Sequence, residues 1–204
     1  MHHEEGRNPK EVGRLVARRC DVTDEVAVST LFDTVQAQFG PLDVLVNSAG
    51  VASQSSCVDL SLAEWDRVLG TNLTGTFLCS QAALRQMLPA KRGSITSSYA
   101  LLRVESWRPS VLRARATEVA PHVRVNSVCP GQIVPPMIED EIQRRISLLG
   151  RSREQVEDDW LRHIPLHRFQ STADIANAVA FLASDDAKEI TGAALNVSDG
   201  LVMD

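Results

Sequence analysis

Apolar positions recur in two rhythms along this chain, and the two alternate. The run Leu42-Asp43-Val44-Leu45-Val46-Asn47 is closed by Gly40-Pro41 before it and Ser48-Ala49-Gly50 after it, which predicts a strand buried on both faces. Arg14–Cys20 alternates well enough for another strand, and Gly93–Ser98, Val123–Val128 and Ala193–Val197 complete the set. Between them the period changes to that of a helix. Val28, Leu31, Phe32 and Val35 mark a helix from Asp24 to Phe39, with Thr23 as its N-cap and Gly40-Pro41 as its stop. Ser61-Leu62-Ala63-Glu64 is a capping box opening a short helix that Trp65 and Leu69 should pin to the core. A long helix from about Thr71 to Leu88 should end at Pro89, and another spans Ser110–Ala120 between two prolines. Two amphipathic helices, Ile138–Leu149 and Ser152–His163, follow Pro130-Gly131, and Ala173–Ala183 is capped by Thr172. Strands alternating with helices imply an α/β fold with a doubly wound parallel sheet, as one domain over 1–204.

Composition narrows the function classes. The apolar fraction of 44% and charged fraction of 23% are those of a folded, water-facing domain. A net charge of −5 argues against nucleic acid or an anionic membrane as the main partner. No apolar run approaches the roughly 18 residues of a membrane span, and the start Met1-His2-His3-Glu4-Glu5 lacks the pattern of a signal peptide. Cys20, Cys57, Cys79 and Cys129 have neither metal-like nor redox-pair spacing, so they read as reduced thiols of a cytoplasmic protein. No metal site is expected, with His2 and His3 at a solvated terminus.

Leu42–Gly50 resembles the Asn-Asn-Ala-Gly strand end of the short-chain dehydrogenase/reductase family, with Ser48 in place of the second Asn. Cys20-Asp21-Val22-Thr23-Asp24 is similar to that family's third strand and helix cap, and Asn72-Leu73-Thr74-Gly75 to its catalytic-Asn helix. Arg124–Gly131 is similar to its sixth strand and Pro-Gly turn, and Ala173–Ala176 through Asn196–Gly200 to its last helix and strand. The resemblance implies a Rossmann-like sheet and hydride transfer between NAD or NADP and a carbonyl or secondary alcohol, most like the 3-oxoacyl-carrier-protein reductases. It implies cofactor contacts from Asp21, Val22, Asn47, Ala49, Gly50, Pro130, Gly131 and Ile133, and catalytic roles for Asn72 and Ser98, with Tyr99 and Arg103 as the remaining candidates. Asn72 is expected to hold a water through its amide.

Departures from the family pattern shape the expected function. No Gly-x-x-x-Gly-x-Gly turn occurs in the chain, and the first two strands of the family fold are expected to be absent, an N-terminal truncation. The Leu42–Asn47 strand would then carry an unpaired edge, to be covered by Arg14–Cys20 or by another chain. The family reaction also needs a Tyr phenol with a Lys four residues later. Tyr99 is the sole tyrosine, the lysines are Lys10, Lys91 and Lys188, and position four after Tyr99 is Arg103. Tyr99 is also adjacent to Ser98, where the family separates the two, and Pro135 replaces a phosphate-contacting Thr. The expectation is weak dinucleotide binding and poor or absent turnover. Two alternatives are a non-catalytic partner, forming a homo-oligomer or a hetero-oligomer with an intact relative, and the product of a reading frame mis-assembled across Tyr99–Arg115.

Overall fold

The computed structural model describes residues 13, 15–53, 55–98, 116–131, 133 and 139–201, without the side chain of residue 140. Helix α1 (Glu25–Phe39) precedes β1 (Val44–Asn47), α2 (Leu62–Leu69) and α3 (Thr76–Ala90) precede β2 (Gly93–Ser98), and β3 is Val123–Pro130. Helices α4 (Glu139–Leu149), α5 (Arg153–Leu161) and α6 (Thr172–Ala183) lead to β4 (Ala194–Val197). The four strands form one parallel sheet in the order β1-β2-β3-β4, in register Val44↔Ser94, Ile95↔Val125 and Val128↔Leu195.

The period-two alternation of the strands divides the core between two faces. Val28 and Phe32 of α1, Ala83 and Met87 of α3, Ile95 of β2, and Val123 and Val125 of β3 share one cluster. On the other face Val128 packs with Ile175 and Leu182 of α6. Arg124 points to that second face too. Its guanidinium donates to the carbonyls of Leu182 (2.7 Å) and Ser184 (2.9 Å), satisfying the open C-terminal end of α6. Burial pushes its pKa down.

Several expectations are corrected. Residues 15–20 form no strand and do not pair with β1, whose only strand partner among the described residues is β2. Leu15 is almost fully exposed, while Cys20 and Val22 pack against the α1–α3 core instead of the sheet edge. Val44 and Val46 of β1 share one face of the sheet and are 39% and 44% exposed. Asp24, not Thr23, caps α1, because its carboxylate reaches the N–H groups of Val26 (2.9 Å) and Ala27 (3.0 Å). Ser171, not Thr172, caps α6, in a reciprocal box with Asp174. Trp65 stays 39% exposed and α2 buries no residue fully. The long helix does not begin at Thr71: Gly70–Gly75 is a π-helical turn that joins α2 to α3. Nor does it end at Pro89, which sits in the last turn; left-handed Lys91 closes it by donating to Leu88 (3.1 Å).

Candidate functional site

In an open parallel sheet the crevice beyond the carboxyl ends of the strands is where ligands bind. Here that edge is formed by Asn47 on β1, Ser97 and Ser98 on β2, and Pro130 of β3 with Gly131 just after it. Asn47 is buried, and its amide donates to Ser80 of α3 (3.1 Å) and Ser97 of β2 (3.3 Å). The Ser80 hydroxyl in turn donates to the Thr76 carbonyl (2.6 Å). This small polar cluster locks the end of β1, after which Ser48, Ala49 and Gly50 run exposed.

The exposed run is re-anchored by the π turn. Asn72, 4% exposed, accepts from the Val51 N–H through Oδ1 (2.8 Å) and donates to the Val51 carbonyl through Nδ2 (2.9 Å). Both ends of the amide therefore face main chain. The Thr76 hydroxyl donates to the Asn72 carbonyl (2.8 Å), within the wider coil that π geometry opens. Gly75 closes the same turn. A Cβ there would lie 2.6 Å from Val22 Cγ2, so the glycine is what lets the Asp21–Thr23 turn lie against it. The Asp21 carboxylate accepts from the Thr23 N–H (2.9 Å) and hydroxyl (2.8 Å), and these two bonds hold its pKa below the ordinary carboxylate value. Asp21, Val22, Asn47, Ala49, Gly50 and Asn72 are thus gathered at one end of the strand edge.

A second cluster lies two strands away, roughly 10 Å by strand spacing. The Gly131 N–H donates to the Val197 carbonyl (2.9 Å) and to Gln170 Oε1 (2.8 Å), while Gln170 Nε2 donates to the Val197 carbonyl. A Cβ on Gly131 would come within 2.8 Å of Ser198 Cα, so only glycine fits. Ile133 is half-buried and bridges Gln170. Ser98, half-buried at the end of β2, stands between the clusters and pairs with Val128. Tyr99, Arg103 and Pro135 lie outside the described residues.

Sequence reasoning overlooked Gln170, Ser80, Ser97 and Val51. Gln170 could have been flagged only as an amide just before the α6 cap; its contacts are with residues distant in the chain. Among the described residues, Arg67 stands beside this end of the sheet; its Nη2 donates to the Ala52 carbonyl (3.0 Å) and pairs with Glu64 (2.7 Å), holding the Glu64 pKa down to about 2. No group of three or more potential metal ligands occurs among the described residues. None of their helices is long and apolar enough to cross a membrane.

Known proteins resemble this chain in sequence and in fold. A family model described as Enoyl-(Acyl carrier protein) reductase matches residues 5–202. The chain is 34% identical over 200 residues to the 3-oxoacyl-acyl-carrier-protein reductase FabG of Staphylococcus aureus (strain N315), covering 92% of this chain and 77% of that protein. It is 35% identical over 214 residues to the (3R)-3-hydroxyacyl-CoA dehydrogenase of Rattus norvegicus, covering 98% and 78%. Among solved structures, an actinorhodin polyketide ketoreductase with NADPH superposes with a TM-score of 0.83 at 29% identity, over 90% of this chain and 76% of that one. An NAD+-bound xylitol dehydrogenase gives 0.80 at 28% identity, over 89% and 77%. With the parallel sheet, the π turn at Asn72 and the Pro-Gly turn all in place, the chain belongs to the short-chain dehydrogenase/reductase family of oxidoreductases.

Proposed function

We propose that this chain keeps the family's ligand-binding walls but performs hydride transfer poorly or not at all by itself, with weak affinity for NAD or NADP. The observation that carries this reading is where the lysines among the described residues stand. Reduction of a carbonyl by a dinucleotide needs a proton donor of suitable pKa next to the reacting oxygen, and a tyrosine serves at neutral pH only beside a positive charge. Tyr99 has no lysine four residues later. Lys91 follows α3 and leads into β2, and Lys188 follows the turn after α6, so both stand at the amino edge of the sheet, opposite Ser98 and Gly131.

The remaining residues fit a binding role better than a chemical one. Asn47, Ala49 and Gly50 with Val22 would line an adenosine, and Pro130, Gly131 and Ile133 would face a nicotinamide amide. A glycine-rich turn for the pyrophosphate is not found in the chain. When bound, the dinucleotide would supply the hydride, and this chain's part would be to hold its two ends. Charge-assisted phosphate contacts contribute much of dinucleotide affinity. A calorimetric NADPH titration of the purified chain should therefore give a dissociation constant above about 100 μM, where binding is weaker than roughly −5.5 kcal/mol. Micromolar binding would overturn the reading.

A second reading is association with another chain of the family. Phe77 of α3 and Phe181 of α6 are 41% and 42% exposed and offer apolar surface to a partner chain. Co-purification with an intact relative and a changed rate of that relative support it; a chain that stays monomeric in the mixture refutes it.

A further inference from the structure

Gln170 is the last residue before the α6 cap, and it is 2% exposed. A buried amide must find both a donor and an acceptor inside the fold. Its Oε1 accepts from the N–H of Gly131, just past β3, at 2.8 Å, and its Nε2 donates to the carbonyl of Val197, the last residue of β4. The Gly131 N–H also reaches that carbonyl directly (2.9 Å), so three hydrogen bonds close a ring around three residues. The main chain of Gln170 does a second job, bridging Ile133 in parallel fashion. The Ile133 side chain packs against the cluster of Val128, Ile175 and Leu182. Gly131 and Ile133 are thus both held by one residue, the first through its side chain and the second through its main chain. The ring also dictates the residue type. A carboxylate would set its second oxygen against the Val197 carbonyl, an ammonium would face the Gly131 N–H, and asparagine is one methylene short. Nor is there slack around Gly131, where a Cβ would lie 2.8 Å from Ser198 Cα and 3.1 Å from Gln170 Oε1.

We propose that Gln170 is a positioning residue: by pinning Gly131 to β4 it presets the wall for the nicotinamide end of a dinucleotide, and it acts on that end alone. The proposal rests on the reading above, in which Pro130, Gly131 and Ile133 would face a nicotinamide amide. A wall fixed before the ligand arrives spares the cost of ordering it on binding. The ring spends the Gly131 N–H and the Val197 carbonyl within the protein, so Gln170 sets where the wall stands without touching the ligand. The adenosine wall, on the β1 side, is built from separate contacts: Asn47 on Ser80 and Ser97, and Gly50 against Asn72. A change at Gln170 is therefore felt by one half of the dinucleotide.

The test titrates the isotope-labelled whole chain with nicotinamide mononucleotide and, separately, with adenosine monophosphate, following backbone amides by NMR. Gln170→Met keeps the length of the side chain and removes both polar ends, while the Gly131 N–H retains the Val197 carbonyl. In this variant the affinity for nicotinamide mononucleotide should fall about fivefold or more, with that for adenosine monophosphate staying within about twofold. The Gly131 amide should also exchange with solvent faster. Gln170→Glu keeps the acceptor and loses the donor, so its affinity for the nicotinamide fragment should fall between wild type and Gln170→Met; should Gln170→Met not fold, it carries the same comparison. Equal binding of the nicotinamide fragment by wild type and variant overturns the proposal and leaves the nicotinamide reading standing. Equal losses for both fragments overturn it as well, since they mark a general loosening of the fold. If the Gly131 and Ile133 amides of the wild-type chain do not respond to the nicotinamide fragment at all, the nicotinamide reading falls and the proposal with it.

Discussion

Replacing Asn72 by Ala separates a structural role from a catalytic one. The side chain is buried and both amide ends are bonded to Val51 main chain at 2.8 and 2.9 Å. Each bond contributes about 1 kcal/mol net, and a partly buried main-chain group left without a partner adds about 1–3 kcal/mol. Some of that is recovered where water reaches Val51, which is only half-buried. The sum predicts a loss of about 2–4 kcal/mol for Asn72→Ala, read as a lower urea midpoint at unchanged m-value by far-UV circular dichroism. Asn72→Asp sharpens the test. At neutral pH its carboxylate still accepts from the Val51 N–H but faces the Val51 carbonyl, so the variant should be no more stable than Asn72→Ala. Protonation restores a donor toward that carbonyl. The folded-state pKa of the new carboxyl is thus raised above the unfolded value near 4, and Asn72→Asp should gain on Asn72→Ala as pH falls through that range. An Asn72→Ala chain within about 0.5 kcal/mol of wild type would refute the clamp.

Other substitutions test other joints of the same scaffold. Gly131→Ala drives a Cβ into the Ser198 backbone, so unfolding stability should fall by about 1–3 kcal/mol in the same urea assay, and Gly40→Ala, which meets no neighbour but sits at φ +87, should lose about 1 kcal/mol. Arg124→Met removes the charged donor from the Leu182 and Ser184 carbonyls and should cost about 2–4 kcal/mol, with amide exchange accelerating first in α6. Glu139, bonded to Arg153 and Gln143, and Glu141, bonded to Arg144 and Arg145, are held down to about 2. Depressed carboxyl pKa values stabilise the fold above the unfolded value and lose that effect as pH falls through the folded one. The α4–α5 pair should therefore loosen between about pH 4.5 and pH 2, and Glu139→Gln should flatten that part of the melting-temperature profile; because these groups are solvated the effect is modest.

How much of this was readable beforehand follows from the range over which each signal acts. Helix caps act within four residues, so Ser61 and the stop at Gly40 were legible, and the errors at Thr23 and Thr172 are shifts of one residue between neighbouring oxygens. The strand at Gly93–Ser98 was legible because turn residues bound it. Arg14–Cys20 alternates like a strand, but a strand also needs a neighbour to bond with, and alternation carries no information about one. The π turn at Asn72 was hidden because its apolar spacing is nearly that of an α-helix. Candidate residues inside short motifs, such as Asn47 and Gly131, could be nominated from those motifs alone. Gln170 was not, because its bonds to residues 131 and 197 exist only once α6 and β4 have docked.

Central to the account is a ligand-binding scaffold that persists without a working proton-transfer pair. Steady-state consumption of NADPH by the purified chain with a 3-oxoacyl thioester, compared between wild type and Tyr99→Phe, tests it most directly. The account predicts equal rates for the two, both at the background of the reagents. Turnover that depends on Tyr99 would contradict it.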